Sequence, residues 1–234
     1  EKSAYLIIYF GLYKCYNKII RNETKNDKLN KPMWECGGIF ILHEEVDYML
    51  TPKQNMLEVI KGGNPDRFVN QYEAVQLRVH PFMFTNPLLQ PGQENVVNAW
   101  GVTNTFPKGV PGSFPVHTPD KIVVKDIEDW KDYVHAPSLK FTQDQWDMVK
   151  AQYDAVDGEQ AFKAAFVAPG LFEQTHHLCE ISNALVYYIT NPDEMHDLIK
   201  YLTEWELELA EGICSNLHPD ALFHHDDWGG LDST

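Results

Sequence analysis

The chain has 234 residues and carries 19 basic against 34 acidic side chains, a formal net charge of −15. A protein this acidic lacks the basic face that binds nucleic acid, and it has little attraction for an anionic membrane. It contains only three arginines, too few to clamp a polyanionic ligand effectively. Its four cysteines are scattered, with no CxxC pair, which is typical of a reducing, cytoplasmic setting.

Residues 1–48 differ in composition from the rest of the chain. Ile, Asn, Tyr and Lys fill 21 of these 48 positions, and Lys14 interrupts the apolar run 4–13 well short of a membrane span. Glu44-Glu45-Val46 can be encoded by a purine-rich ribosome-binding sequence just upstream of Met49. The pattern predicts an atypical translated leader that is not part of the fold, with a genuine N-terminal extension as the alternative.

Regular structure is predicted from Met49 onward. Thr51-Pro52-Lys53-Gln54 is a capping box with proline at the first helical position, and Gly62-Gly63 ends the predicted helix. A turn at 64–67 and a strand over 68–75 follow. The end of this strand carries three candidate substrate-binding residues: Asn70, Tyr72 and Glu73.

The middle of the chain predicts a long excursion followed by short elements. Residues 80–118 are rich in proline and glycine, which favours irregular loops that cover a substrate site. A short strand over 121–124 and a brief helix within 126–137 are expected next. A second capping box begins a helix at Thr142, and a strand over 164–168 is closed by Pro169-Gly170.

The last third predicts mostly helix. Helical stretches extend to Ile189, and Asn191-Pro192 begins the longest helix, whose apolar residues recur at helical spacing. The glutamates of this helix are predicted to form a solvated outer face: Glu204, Glu206, Glu208 and Glu211. Pro219-Asp220 then separates the helix from a final strand.

That strand, Ala221–Phe223, continues directly into four titratable side chains and an indole. Unpaired buried charge is costly, so these residues are expected where the strand ends and a loop opens, the usual location of chemistry in an α/β protein. Neighbouring side chains on a strand alternate in direction, so one member of each adjacent pair should face the pocket. The candidate catalytic residues are Asp226 and Asp227, and the candidate substrate-binding residues here are His224, His225 and Trp228.

The order of strands and helices is typical of parallel βαβ units. Within this order, residues 49–234 resemble the uroporphyrinogen decarboxylase superfamily, which includes the haem-pathway decarboxylase and corrinoid-dependent methyltransferases. Five segments carry the resemblance in family order: 64–67 (NPDR), 126–137 (DIEDWKDYVHAP), 164–173 (AAFVAPGLFE), 191–211 (NPDEMHDLIKYLTEWELELAE) and 220–230 (DALFHHDDWGG).

The resemblance implies an α/β fold, a (β/α)8 TIM barrel with its active site at the carboxyl ends of the strands. Because the chain stops at Thr234, shortly after a strand and within a predicted loop, the expected fold is a C-terminally truncated barrel. Residues 49–234 would form the N-terminal part of that barrel.

Three departures separate the chain from the haem-pathway decarboxylase. No arginine-bearing "RQAGRY" stretch follows Arg67, no "FSDIL" strand occurs near 99–106, and the family's tyrosine is replaced around Thr175-His176. The resemblance therefore favours an enzyme that transfers a methyl group between a small methylated substrate and a corrinoid (cobalamin) protein or cofactor. A uroporphyrinogen decarboxylase of tetrapyrrole biosynthesis, which needs no cofactor, and a catalytically silent binding relative are the alternatives.

The methyltransferase branch also implies zinc, bound by a His-x-Cys pair and a later Cys. These ligands would lie beyond Thr234, so no metal ligand is predicted within the sequence. His177-Leu178-Cys179 matches the spelling but not the family position, and residues two apart do not share a helix face. The expected partners are a small-molecule substrate and a corrinoid protein, without nucleic acid or membrane; a homodimer is left open.

Overall fold

The computed structural model describes the backbone of residues 6–7 and all of residues 49–86 and 88–227. Apart from Leu6–Ile7, the predicted leader lies outside the described residues. The strands are β1 (Leu6–Ile7), β2 (Val75–Arg78), β3 (Gln93–Val97), β4 (Thr103–Phe106), β5 (Phe114–Pro115), β6 (Phe162–Val167) and β7 (Ala221–His224). They form a parallel sheet of order β1-β7-β6-β2 and an antiparallel sheet of order β3-β4-β5.

The described ranges also contain eight helices. They are α1 (Pro52–Lys61), α2 (Gln71–Ala74), α3 (Phe82–Thr85), α4 (Trp130–Tyr133), α5 (Gln143–Asp154), α6 (Leu171–Cys179), α7 (Ile181–Thr190) and α8 (Pro192–Leu217). Among the helices of the described ranges, none has the length and apolar character needed to cross a membrane.

The predicted capping boxes are confirmed at α1 and α5. The Thr51 side chain accepts a hydrogen bond from the Gln54 N–H, and the Gln54 side chain accepts one from the Thr51 N–H. Thr142 and Gln145 repeat this reciprocal arrangement at α5. Gly62 ends α1 in the left-handed region with φ of 69°, a conformation that glycine adopts without a steric penalty.

Helix α8 joins two hydrophobic clusters and so positions the parallel sheet. Near its C-terminal end, Leu209, Ile213 and Leu217 pack with residues of β6 and α5. Near its N-terminal end, Leu198 and Leu202 belong to a second cluster, which includes Trp100, Trp130 and Leu178. Burial of these apolar side chains is the main stabilising contribution available to the fold.

Strands β6 and β7 alternate in side-chain direction. Ala165 and Val167 pack on the α8 side, in the same cluster as Leu222, whereas Ala164 and Ala221 belong to a cluster on the other side of the sheet. The pairing continues to the ends of both strands, where Val167 lies opposite His224. This register brings the residues that follow the two strands to the same edge.

The expectation of a truncated (β/α)8 TIM barrel is wrong. The strands of the described ranges form two small sheets rather than part of an eight-stranded ring. The connection from β2 to β6 contains the antiparallel sheet and three helices instead of a single crossover helix. Alternation of strands and helices along a sequence predicts parallel pairing, but it does not determine how many strands join or whether the sheet closes.

Three local predictions also need correction. The strand predicted over 68–75 begins only at Val75, because Asn70 caps the short helix α2 immediately before it. The strand predicted over 121–124 is a turn segment, although the Val124 N–H donates to the Leu178 carbonyl. The predicted irregular segment 80–118 contains the antiparallel β3-β4-β5 sheet.

Candidate functional site

The parallel strands β2, β6 and β7 end at one edge of the sheet, here called the carboxyl-end edge. It is formed by the residues that directly follow each strand: 79–80 after β2, 168–170 after β6 and 225–227 after β7. The first turns of α6 begin at the same edge. Ligand sites of open parallel sheets lie at such an edge, because successive loops converge there.

Asp226 caps the N-terminus of α6. Its carboxylate accepts hydrogen bonds from the N–H groups of Phe172, at 3.1 Å, and Glu173, at 2.8 Å. Gly170, at the N-cap position, provides no side-chain cap of its own. A carboxylate at this position satisfies free N–H groups and complements the positive end of the helix dipole. The aspartate predicted to be catalytic therefore acts here as a helix cap.

Four side chains from α6 and the end of β7 form what we call the α6 cluster: Glu173, His176, His225 and Asp227. His225 Nδ1 lies 3.0 Å from Glu173 Oε2, and His176 Nε2 lies 3.6 Å from Asp227 Oδ2. One ligand atom from each of Glu173, His225 and Asp227 lies within 4.8 Å of the others, a spacing that a metal ion could bridge. The structure thus brings the predicted residues His225 and Asp227 together.

Burial determines the electrostatics around α6. It raises the pKa of the Glu173 carboxyl, and the hydrogen bond with His225 opposes this rise. It lowers the pKa of His176, against the attraction of Asp227. It also lowers the pKa of His177 to about 3, with His176 and His117 adding to the effect. These two histidines are consequently neutral near pH 7, the form of imidazole that binds metal ions.

His224 points to the opposite side of β7, where it forms the α8 pair with Glu206. The distance between His224 Nε2 and Glu206 Oε2 is 3.1 Å, and both side chains are largely buried. The hydrogen bond with Glu206 raises the pKa of His224 in spite of burial. The predicted opposite orientation of His224 and His225 is confirmed, but the predicted solvated position of Glu206 is wrong.

A narrow aromatic cleft adjoins the α8 pair. Its empty space amounts to about 250 Å³, counting its opening to solvent. The lining consists of Phe82, Trp100, Ala168, Pro169, Gln174, Leu202, Trp205 and Glu206. Trp205 packs edge-on against both Phe82 and Trp100, with ring centroids 5.0 Å apart in each case. The predicted excursion thus contributes one wall of this cleft through Trp100.

Besides His176 of the α6 cluster, the buried side chains of Gln174 and His80 near the edge each have an atom without a hydrogen-bond partner among the described residues. Gln174, on the cleft wall, is 4% exposed and its Nε2 has none. His80, directly after β2, is 2% exposed and its Nδ1 has none. Burial lowers the pKa of His80 to about 4, so its ring is neutral at pH 7. Buried groups of this kind are uncommon outside functional or strained regions.

Asn70, Tyr72 and Glu73 are not at the predicted location. They precede β2, so they lie at the edge of the parallel sheet opposite to the carboxyl-end edge. Asn70 caps α2, Glu73 pairs with Arg67 at 3.0 Å, and Tyr72 is largely exposed. Their predicted position at a strand end is wrong because α2 (Gln71–Ala74) occupies most of the second half of the predicted strand. Trp228 lies outside the described residues.

Sequence reasoning missed Glu173, His176 and Glu206 as site residues, although each had a usable signal. Glu173 and His176 are three positions apart, which puts both on one face of a helix. Glu206 lies four positions after Leu202 and three before Leu209, both buried, so it belongs to the inward face of α8. In each case the periodicity was present, but charge alone suggested exposure.

Comparisons with known proteins found no relative of this chain. No protein-family model, no curated protein and no solved structure matches the chain. The resemblance to the uroporphyrinogen decarboxylase superfamily therefore stays a prediction based on the five segments named above.

Proposed function

We propose that the carboxyl-end edge is the active site of an enzyme that transfers a methyl group between a small methylated substrate and a corrinoid presented by a partner protein. The observation that carries the proposal is the contact between Glu173 and His225. They belong to segments 164–173 and 220–230, two of the five that resemble the superfamily. These two segments thus meet at the carboxyl-end edge, where parallel sheets usually bind ligands, and this supports a shared active site.

The zinc implied by the methyltransferase branch does not fit the cysteines of the described ranges. Such a site needs thiolates, whereas burial raises the pKa of Cys179 to about 12 and raises that of Cys214. Cys179 is also completely buried. Cys179 and Cys214 are therefore unsuited to a sulfur-ligated zinc site.

The corrinoid is treated as the methyl acceptor rather than as a resident group. The enclosed part of the cleft beside the α8 pair has room for about one water molecule, so a corrin macrocycle cannot enter it. Phe82, Trp100 and Trp205 line the cleft with aromatic rings, so the apolar part of a small substrate would contact these rings at the cleft opening. The corrinoid would approach from outside, carried by its own protein.

The α8 pair can supply the proton that demethylation requires. When the bond between the methyl carbon and the substrate oxygen or nitrogen breaks, its electron pair stays on that atom, which then takes up a proton. Glu206 raises the pKa of His224, so more of the imidazole is protonated near pH 7. Glu206 lines the cleft, and His224 Nε2 lies 3.1 Å from its carboxylate, so the pair can deliver a proton to the substrate through Glu206.

The geometry gives less support to a porphyrinogen decarboxylase. That substrate carries several carboxylates, and arginine is the side chain best suited to hold them. Of the two arginines in the described ranges, Arg67 pairs with Glu73 at the opposite edge. Arg78 donates to the carbonyls of Leu77 and Gln152. Neither forms a carboxylate clamp at the carboxyl-end edge.

The proposal includes a cytoplasmic location, supported by cysteine usage. Cys179 and Cys214 are free thiols, as expected for a reducing compartment. The four cysteines are also scattered along the sequence, without the dense pattern of a disulfide framework.

The test is an assay for methyl transfer to cob(I)alamin with a panel of methoxylated aromatics and methylamines as donors. Transfer is followed by the change in corrinoid absorbance on purified protein. We expect turnover with at least one donor, and we expect His224→Gln to lower the rate by about 100-fold or more, the usual contribution of a general acid. The matched control is His196→Gln, an exposed histidine on α8, which should retain the wild-type rate.

Two results would overturn the proposal. One is release of carbon dioxide from uroporphyrinogen with no methyl transfer from any donor, which would indicate the decarboxylase. The other is binding of a donor with neither reaction, which would indicate a catalytically silent relative. An unchanged rate in His224→Gln would remove the role of the α8 pair while leaving methyl transfer in place.

A further inference from the structure

We propose that the α6 cluster binds a divalent transition-metal ion through Glu173, His176, His225 and Asp227, with zinc as the reference ion. This site has nitrogen and oxygen ligands only, so it differs from the thiolate site that the resemblance implies. It lies on the side of β7 opposite to His224. The inference does not depend on which group the enzyme transfers.

The spacing of the ligand atoms in the α6 cluster suits a bound metal ion. Ligand atoms of Glu173, His225 and Asp227 all lie within 4.8 Å of one another. Around an ion with bonds of about 2.0–2.2 Å, neighbouring ligand atoms are separated by roughly 3–4 Å. Small side-chain rotations are therefore enough to bring these three atoms to bonding distance from a common centre.

The buried side chain of His176 supports the metal site independently of the ligand spacing. It is 8% exposed, and its Nε2 has no hydrogen-bond partner among the described residues. That atom points toward the cluster, 3.6 Å from Asp227 Oδ2, which is longer than a hydrogen bond. Contacts with Phe172 and His177, both edge-on, hold the ring in this orientation. A buried nitrogen that faces the Asp227 carboxylate without a hydrogen bond is accounted for by a cation between them.

The backbone places the four proposed ligands on facing sides of α6 and of the segment that follows β7. Glu173 and His176 are three residues apart on α6, which places both side chains on one face of the helix. His225 and Asp227 are two residues apart in the segment that continues β7, and alternation places both on one side. Asp226, between them, turns the other way and hydrogen-bonds to the start of α6. That contact holds the two pairs of ligands together.

The donor set indicates the class of ion. Two imidazoles and two carboxylates suit Zn²⁺, Fe²⁺ or Mn²⁺, whereas Cu⁺ prefers sulfur ligands. The two carboxylates balance the charge of a divalent ion. His225 and Asp227 are about half-exposed, at 46% and 55% of their side chains, so one side of the site faces solvent. A water molecule or a substrate oxygen could bind there and be polarised by the ion.

The experiment measures Zn²⁺ binding to the purified, metal-stripped chain by calorimetry, with Co²⁺ absorption spectra as a report on ligand geometry. We expect one Zn²⁺ per chain at this site. The variants His225→Gln and His176→Gln should each weaken binding by more than about 100-fold, because loss of an outer-shell partner alone costs about 10- to 100-fold. The matched controls are His224→Gln, on the other side of β7, and His196→Gln, both expected to bind like the wild type.

Circular dichroism spectra of each variant separate loss of a ligand from loss of the fold. If a histidine variant is misfolded, Asp227→Asn replaces it in the test. The Asp227 side chain is exposed, so exchanging its carboxylate for an amide leaves the core intact. Unchanged affinity in the folded ligand variants would overturn the inference, as would binding that disappears only when cysteines are changed to serine. The readout is metal binding, so failure of the methyl-transfer proposal would not affect it.

Discussion

Gly170 and Asp226 occupy the same small space at the start of α6. A Cβ atom at Gly170 would lie 2.5 Å from both Cβ and Cγ of Asp226. The absence of a side chain at Gly170 therefore allows the carboxylate to reach the N–H groups of the first turn. Asp226 thus caps the helix turn at Phe172, which lies 54 positions earlier in the sequence.

The first prediction follows from this close approach. Gly170→Ala should destabilise the protein by about 1–3 kcal/mol, because backbone or Asp226 must move to relieve the overlap. Urea denaturation followed by circular dichroism measures the loss. Gly158→Ala is the matched control, since a Cβ there would meet nothing within 4 Å, and its unfolding midpoint should stay close to that of the wild type. Equal losses in the two variants would contradict the prediction.

The cap itself gives the second prediction. Asp226→Ala should cost about 0.5–2 kcal/mol, the usual range for loss of a capping side chain. Asp226→Asn should lose less, because the amide oxygen still accepts one hydrogen bond while the charge that favours the helix dipole is removed. Comparison of the three unfolding free energies tests this order. If Asp226→Ala were as stable as the wild type, the capping role would be wrong.

The third prediction concerns Asn55, which is completely buried under the turn after α1. Its Nδ2 donates to the Leu50 carbonyl, and its Oδ1 accepts from the N–H groups of Asp66 and Arg67. Asn55→Ala should destabilise by about 1–3 kcal/mol, because these backbone groups lose their partner. Asn64→Ala, at an exposed position, should change the unfolding free energy by less than about 0.5 kcal/mol.

The fourth prediction is acid destabilisation through His80. Burial lowers its pKa to about 4 in the folded protein, against 6.5 for an ordinary histidine. Above pH 6.5 the His80 imidazole is neutral in both the folded and the unfolded protein, so it does not reduce the free energy of unfolding. Between pH 6.5 and 4 only the unfolded protein binds a proton at this imidazole, so the free energy of unfolding falls. The loss from this residue amounts to about 3 kcal/mol at most.

Unfolding free energies measured from pH 7.5 to 4 test this prediction. His80→Gln should show a shallower decline than the wild type, whereas His196→Gln, on the surface of α8, should follow the wild-type curve. Burial of His177 acts in the same direction, so part of the decline should persist in His80→Gln. Parallel curves for wild type and His80→Gln would refute the assignment.

The fifth prediction concerns the α8 pair. Glu206 raises the pKa of His224, so its stabilising effect is complete below the unfolded pKa of histidine and is lost as the pH rises through the folded pKa. In Glu206→Gln the pKa of His224 should fall, as NMR titration of the imidazole would show. The destabilisation caused by Glu206→Gln should be larger at pH 5.5 than at pH 9. Glu204→Gln, exposed on the same helix, is the control.

The sequence by itself determined the features that depend on neighbours along the chain. The capping boxes at Thr51 and Thr142 were predictable because each involves residues three positions apart. The strand predicted over Ala221–Phe223, which extends to His224 in the structure, and the opposite directions of His224 and His225 follow from local hydrophobicity and strand alternation. These interactions require no knowledge of the rest of the fold.

Only the tertiary structure decided which distant groups meet. Asp226 became a helix cap because β6 and β7 pair in a register that brings it to α6, and Glu206 turned inward because His224 offers a partner on the sheet. Asn70 lies outside the predicted strand because its side chain caps the short helix α2. The number of strands and their closure depend on long-range packing, which local periodicity does not encode.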